Sequence, residues 1–503
     1  MRLRRLAAAA LCAATLAFAT LSPAHAEGGA GDLRIGNFLD LRSWDPALTD
    51  IGFAPPYLSA VYDPLVSLEP DGTVVPVLAT GWEWSADGLS LSMTLREGVS
   101  FHDGTPFDAA AAVTVLEHLR LGTLSQDAYG SVSAIEATGP HAIRITLSER
   151  DDAMLYLMGT GRSYMVSPAA LAAGTLATTP SGSGPYVLDA AATVPGSAYH
   201  FTKVLGHWDT DRYPWDRVVI SPMLDPTARQ NAMLSGQLEV IYGNPNDMDQ
   251  ARAQGWNIGQ SPASWVGMQI TDRTGGRLAA LGDIRVRQAL AHAFDGAGIM
   301  QAFSAGAGEL TNQVFMVGGP VNDPALNDAY PLNVERARAL MAEAGFADGI
   351  DITLPVAPIF ALTQSIADQT LRDIGFRVTW DQLQMPDYQR NAPTYPMFFS
   401  FLALDSNPMA TLRRQVTGVQ WYNPMAVEQL AAFPELNTRV QAALAATGDE
   451  QIAALRAVNE ELVAQAWWPL WYQAYNNYFS VPTIEVQGIT GMMFPQLRHI
   501  RLR

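Results

Sequence analysis

Two residue types are almost missing from this 503-residue chain: it has one lysine, Lys203, and one cysteine, Cys12. Charged residues make up only 16%, with 31 basic against 49 acidic, for a formal net charge of −18. That balance excludes nucleic acid as a partner, because neutralising phosphates needs clustered Lys and Arg. The shortage of charge is matched by 48% hydrophobic residues, which excludes a disordered tail or acidic spacer. At about 150 residues per domain, the length suggests about three structural units. That is ample for large buried cores.

Catalytic motifs are also missing. Gly182-Ser183-Gly184 lacks the spacing of a Gly-x-Ser-x-Gly elbow, which places a serine on a strand-to-helix turn. Ser-x-x-Lys is impossible, because His200 stands three residues before Lys203. There is no His-Glu-x-x-His, the spacing that puts two zinc ligands on one helical face. Asp247-Met248-Asp249 runs on into Gln250-Ala251 without the glycine and terminal glutamate of a calcium loop. His102-Asp103 are adjacent in a turn, a poor arrangement for proton transfer. No phosphate cradle occurs. The expectation is a protein that is not an enzyme and holds no cofactor and no metal.

The amino terminus is an address. Met1-Arg2-Leu3-Arg4-Arg5 is basic, an apolar run follows from Leu6 to Leu21, and Ala24-His25-Ala26 has the small-x-small form that signal peptidase reads. Residues 1–26 are therefore expected to be a cleaved signal peptide. Cys12 follows Leu11, where a lipobox needs Gly, Ala or Ser, so lipidation is not expected. Cleavage takes away Arg2, Arg4, Arg5, Cys12 and no acid, moving the net charge from −18 to −21. An exported protein without cysteine must hold together by core burial rather than by disulfides. The excess acid is read as solubility.

Strand-like and helix-like stretches alternate, which points to an α/β architecture. Leu89 to Leu95 and Ala142 to Leu147 alternate apolar and polar residues as half-buried strands do. Phe107 to Leu121 reads as a helix with Asp108 near its start. Asp283 caps a helix with Val286, Ala289, Leu290, Ala293 and Phe294 on one face. Asn333 caps the next, with Val334, Ala337, Leu340, Met341 and Ala344 inward and Gly345 as its stop. Ile452, Leu455, Val458 and Leu462 line a third, ended by Trp468-Pro469.

Several ordered motifs carry a family resemblance. Val61-Tyr62-Asp63-Pro64-Leu65 is followed by Pro70-Asp71-Gly72, Pro76-Val77-Leu78-Ala79 and Trp82, then by Leu95-Arg96-Glu97-Gly98 and Phe101-His102-Asp103-Gly104-Thr105-Pro106-Phe107. Ser181-Gly182-Ser183-Gly184-Pro185-Tyr186 and Asp283-Ile284-Arg285-Val286-Arg287-Gln288-Ala289 come later. This pattern resembles the family 5 extracellular solute-binding proteins of ABC importers, which include dipeptide, oligopeptide and nickel receptors. The glycines and aspartates in it are mostly turn chemistry. Arg285 and Arg287, two apart on a helix, cannot share one buried face.

The resemblance implies an α/β, two-lobed periplasmic-binding-protein type II (cluster C) fold with the ligand cleft between the lobes. Lobe I would comprise residues 27–65, 181–275 and 479–503, with an additional domain at 66–180 and lobe II at 276–478. It further implies a monomeric periplasmic receptor that captures a peptide or another amine-bearing solute by lobe closure and hands it to an inner-membrane permease. Alternatives are a non-peptide cargo (oligosaccharide, opine-like conjugate or metal chelate), a secreted hydrolase, or a receptor without a transport role.

Peptide-binding relatives hold the ligand amine with an aspartate in a Trp-x-x-Asp-x-x-Asp-Pro-like segment. Here the segment reads Phe401-Leu402-Ala403-Leu404-Asp405-Ser406-Asn407-Pro408. Asn407 replaces the second aspartate and is itself expected to be a ligand-binding residue, and Asp405 either pairs with a cationic ligand group or caps the turn. The stretch Leu354 to Leu371 lacks the arginine with which dipeptide receptors clamp a carboxylate. Direct nickel binding is disfavoured, because no histidine occurs between His292 and His499. Trp265, Trp421 and Tyr422 are expected in the cleft, where flat rings stack on ligands. Trp44 is a lesser candidate, and Trp467, Trp468 and Trp471 are expected in the core.

Overall fold

The computed structural model describes residues 31–49, 52–420 and 422–503. The expected signal peptide and its cleavage point lie outside the described residues, as does Trp421.

A nine-stranded mixed sheet forms the backbone of the fold. Its order is Met397–Ala403, Asn257–Ile270, Leu470–Ser480, Val240–Tyr242, Asp32–Asn37, Arg217–Pro222, Tyr199–Lys203 and Tyr186–Leu188, with Gly308–Leu310 also paired to Leu470–Ser480. Asp32–Asn37 runs parallel to both of its neighbours. Leu33 and Ile35 from this strand, with Val218, Ile220 and Val240, enter the largest core.

The two long strands join two bodies. At one end of Asn257–Ile270, Ile258 packs on a cluster with Met233, Leu238, Ile241 and Phe479. At the other, Val266, Met268 and Ile270 enter a second core with Trp471, Tyr472 and Phe399. The register with Leu470–Ser480 shifts at Pro262/Ser264 and again at Val266/Gly267. Such irregularities bend a strand and increase its twist. The second core is completed by a parallel pair, Ile350–Val356 and Phe376–Gln382, linked by helix Ala361–Asp373.

A separate four-stranded sheet, ordered Ala79–Trp84, Ser90–Leu95, Ala142–Leu147 and Val132–Gly139, carries the alternation seen in the sequence. Leu91 lies opposite Ile145 and Met93 opposite Ile143, all facing the core. Helix Ala109–Leu121 packs beside it, its first turn held by the Asp108 side chain accepting from the Ala111 N–H. A cap of this kind stabilises by about 1 kcal/mol. Asp283 and Asn333 cap Ile284–Ala293 and Val334–Glu343 in the same way.

The third helix, Gly448–Ala464, stops short of the expected Trp468-Pro469 breaker. The chain turns at Ala466, whose φ is 43°. Arg285 pairs with Asp283 at the surface, whereas Arg287 is 1% exposed and donates to the carbonyls of Leu281 and Gln465. Glycine performs two tasks. Gly72 and Gly104 have φ of 85° and 86°, the region turns require of a residue without a Cβ. Gly184 instead lies so close to the chain that a Cβ would stand 2.5 Å from the carbonyl carbon of Val61.

Candidate functional site

Strand Met397–Ala403 delivers the chain to Asp405, and Asn407 then caps the short helix Pro408–Thr411 by accepting from the N–H groups of Met409 and Ala410. A π-helical stretch, Leu412–Thr417, follows directly and swings Arg414 back over Asp405. The Arg414 Nη1 donates to both carboxylate oxygens, at 3.0 and 3.1 Å. A second π-helical stretch, Met158–Arg162, faces it across a gap and is broken by Gly161 at φ 100°. Such widened turns recur at functional sites because they push a side chain out of the regular helical ladder.

Between these stretches lies a cavity of about 80 Å³, lined among others by Thr160, Arg162, Asp405, Arg414, Thr490 and Gly491. Its lining comes from parts of the chain more than three hundred residues apart, so it forms only when the bodies are assembled. Behind it, Asp127 binds Arg162 through Nε and Nη2, the latter at 2.6 Å. The order Asp405, Arg414, Asp127, Arg162 thus alternates in sign, with Arg414 Nε 3.6 Å from Asp127 Oδ2.

Burial tunes these groups. It pushes the Asp405 carboxyl up from the usual carboxylate range, and the charges of Arg414 and Arg162 oppose it. Burial most strongly disfavours the charged form of Arg414, but the charges of Asp405, Tyr422 and Asp127 and the hydrogen bond to Asp405 together outweigh it and hold the guanidinium above its ordinary value. Tyr156 is pushed up to about 12 by burial, reinforced by Asp405. Its hydroxyl accepts from the Ser406 N–H at 3.0 Å. With Arg413 donating to the Arg150 carbonyl at 2.7 Å and Gln451 to Asp152 at 2.8 Å, this stitches segment 150–156 to the 405–451 side.

The structure separates the residues that the sequence grouped. Asp405 is in the cavity with its carboxylate engaged by Arg414, and the turn is capped by Asn407 rather than by Asp405. Tyr422 is buried behind Arg414, donating its hydroxyl to the Arg414 carbonyl at 3.2 Å. Trp265 was expected to face the cleft and instead is 0% exposed, its ring 5.9 Å from that of Trp468. The reason is its place in the strand, where it points into the largest core. Trp44 is likewise core, edge-on to Tyr199 and Phe201. Trp467, Trp468 and Trp471 are buried as expected.

Sequence reasoning missed Arg414, Arg162, Asp127, Thr160 and Thr490. One signal was available: between Arg390 and Glu428 the only charged residues are Asp405, Arg413 and Arg414. A buried acid in so apolar a stretch asks for a nearby cation. Among the described residues no group of three or more His, Cys, Asp or Glu is placed to hold a metal ion. Nor is any helix among them long and apolar enough to cross a membrane.

Two bodies joined by a pair of long strands, with a small charged cavity lined by distant parts of the chain, define a two-lobed solute-binding protein. The profile of the bacterial extracellular solute-binding proteins, family 5 Middle, matches residues 73–423, and the chain belongs to that family. It is the receptor class that serves ABC importers. The glutathione-binding protein GsiB of Salmonella paratyphi A is 26% identical over 392 residues, covering 74% of this chain and 72% of that protein. GsiB of Escherichia coli K12 is 25% identical over 382 residues, covering 72% and 71%. Among solved structures, AgaA of A. tumefacien R10 in complex with agropinic acid superposes with a TM-score of 0.80 at 22% identity, covering 94% of this chain and 99% of that one. NikA from Brucella suis in complex with Fe(III)-EDTA gives 0.76 at 21%, covering 94% and 100%. These likenesses carry the two-lobed fold.

Proposed function

We propose that this receptor captures a peptide or another amine-bearing organic solute and delivers it to an inner-membrane permease. The observation that carries the reading is the cavity at Asp405, Arg414 and Arg162, where charged side chains from distant parts of the chain meet. Relatives named for glutathione, a tripeptide with a free amine, support it. No covalent step is involved. Solute contacting both sides favours the closed arrangement over the open one, and only that differential affinity shifts the population. About 5.5 kcal/mol takes it from 1:99 to 99:1.

The same reading places the protein in the periplasm as a monomer, after removal of residues 1–26. Lobe I comprises 27–65, 181–275 and 479–503, the additional domain 66–180, and lobe II 276–478. The four-stranded sheet within 66–180 supports one of these limits, and the second core supports another in part, since it draws on 276–478 but also takes Val266, Met268 and Ile270 from the long strand that crosses the boundary. Calorimetry and native mass spectrometry against a panel of peptides, glutathione, opines, oligosaccharides and metal chelates test the cargo. Binding of peptides or glutathione is expected. Binding of neutral oligosaccharides or chelates alone would rule the proposal out.

A further inference from the structure

Within the proposed limits, the additional domain is held to its two neighbours in different ways. Backbone bonds tie it to lobe I: the Leu65 N–H donates to the Ser163 carbonyl at 2.9 Å, Met165 to Asp63 at 2.9 Å and His102 to Gly182 at 2.7 Å. Among the described residues, no backbone-to-backbone hydrogen bond and no strand pair joins it to lobe II. That contact is a seam of side chains. Such a seam parts and re-forms without unravelling either sheet, so lobe II is the neighbour that this domain releases when the lobes move.

Arg413 stands at the centre of the seam. Its Nη2 donates to the Arg150 carbonyl at 2.7 Å and its Nη1 to Glu149 at 3.1 Å, and its Nε lies 3.0 Å from Asp151. Glu149 is 67% exposed, so that pair contributes little. Asp151 is 5% exposed, and a charge pair so nearly desolvated counts for more. Gln451 reaches Asp152 at 2.8 Å from helix Gly448–Ala464, and the Tyr156 hydroxyl accepts from the Ser406 N–H at 3.0 Å. Beneath these bonds, helix Met154–Leu157 packs on Pro408–Thr411, and Met154 and Ala410 are fully buried.

None of Arg413, Asp151, Asp152, Gln451 and Met154 lines the cavity at Asp405. Whatever the seam contributes is therefore gained on closure with any solute. We infer that it is a latch: the additional domain, carried by lobe I, clasps lobe II through Arg413 and weights the receptor toward its closed arrangement independently of solute. The inference rests on the proposed receptor function and lobe limits, and it gives the additional domain a task in the binding cycle. A receptor with a strong latch needs less differential affinity from its solute to close.

The test reads the lobes in solute-free mature protein. Without residues 1–26 the chain has no cysteine, so spin labels go on Glu136→Cys in the additional domain and Glu335→Cys in lobe II, both exposed. Pulsed-EPR distances in this parent should form one short, narrow distribution. Arg413→Gln should add a longer one, raising the open-to-closed ratio about tenfold, or about 1.4 kcal/mol. Glu149→Gln with Gln451→Ala, at the rim, should raise it about threefold. If Arg413→Gln does not fold, the rim variant carries the test. Glutathione affinity by calorimetry should fall by the factor by which the closed fraction falls. A residue that acted by touching solute would lower affinity without moving the solute-free distances. Arg372→Gln, whose pair with Asp368 lies within lobe II, is the control and should leave both readings unchanged. Unchanged distances in both latch variants, or a parent already spread toward long distances, overturns the latch. Shifted distances with binding of sugars or chelates alone uphold the latch and overturn the cargo reading.

Discussion

Arg414 reaches nine residues back along the chain to bridge both oxygens of Asp405 from a single nitrogen, at 3.0 and 3.1 Å. Removing one partner of a buried pair leaves the other charge stranded, which costs about 3–5 kcal/mol, whereas replacing both with apolar groups is often neutral. Arg414→Met should therefore destabilise more than the double change Asp405→Leu with Arg414→Met. A double-mutant cycle by chemical denaturation should give a coupling of about 2 kcal/mol or more. Additive effects would show that the two side chains do not depend on each other.

Gly184 has an ordinary backbone conformation, so its need for glycine is spatial. Its Cβ would stand 2.5 Å from the carbonyl carbon of Val61 and 2.6 Å from the Tyr62 nitrogen. Backbone cannot swing aside as a side chain can. Gly184→Ala is expected to destabilise by at least about 2 kcal/mol, as overpacking does. Gly130→Ala, where a Cβ meets nothing within 4 Å, is the control. Thermal melts of the two variants decide the matter, and equal melting temperatures would refute it.

Burial, reinforced by the charge of Arg498, holds His499 down at about 3. An unfolded histidine titrates near 6.5. Above that pH the ring is neutral in both states and its contribution is constant. As pH falls below 6.5 the unfolded chain takes up a proton that the folded ring refuses until about 3, so stability is lost on acidification at up to about 1.4 kcal/mol per pH unit. Denaturation midpoints between pH 7 and 4 should fall less steeply in His499→Gln than in the parent, whatever the variant's stability at neutral pH. Parallel slopes would remove His499 as the source.

Trp265 is fully buried with its Nε1 unpartnered. Phenylalanine there leaves a gap but also removes an orphaned donor, two effects of about 1–3 kcal/mol with opposite sign. Trp265→Phe should shift stability by no more than about 1 kcal/mol and leave solute affinity within about twofold, measured by calorimetry. A tenfold loss of affinity would return the residue to the cleft.

Much of the local structure could be read directly from the sequence, because it is fixed by neighbours. Leu91, Met93 and Leu95 alternate inward in Ser90–Leu95, and Asp283 and Asn333 cap the helices they precede. Gly72 and Gly104 sit in the turns expected of them. The candidate site was harder to read, since its members meet only through the fold. Asp405 was found by its motif. Its partner Arg414 lies beyond a capped turn and a π-helical stretch, and propensities do not signal the second of these. Trp265 and Trp421 were chosen for their ring type, yet a ring's chemistry does not say which way its strand faces. Trp265 faces the core, and Trp421 is outside the described residues.

Strand Leu470–Ser480 lies inside the main sheet, between Asn257–Ile270 and Val240–Tyr242, although it is among the last elements of the chain. Asp32–Asn37, among the first, pairs with Val240–Tyr242 and so stands one strand away from it. Order of synthesis and order of assembly are therefore opposed. A nascent chain cannot finish its central sheet until nearly every residue has emerged, and contacts this distant in sequence make folding slow. Truncation after Pro469 would not trim a tail; it would remove a strand that contributes Trp471 and Tyr472 to one core and Tyr478 to another. The molecule has no intermediate length at which it is half a receptor.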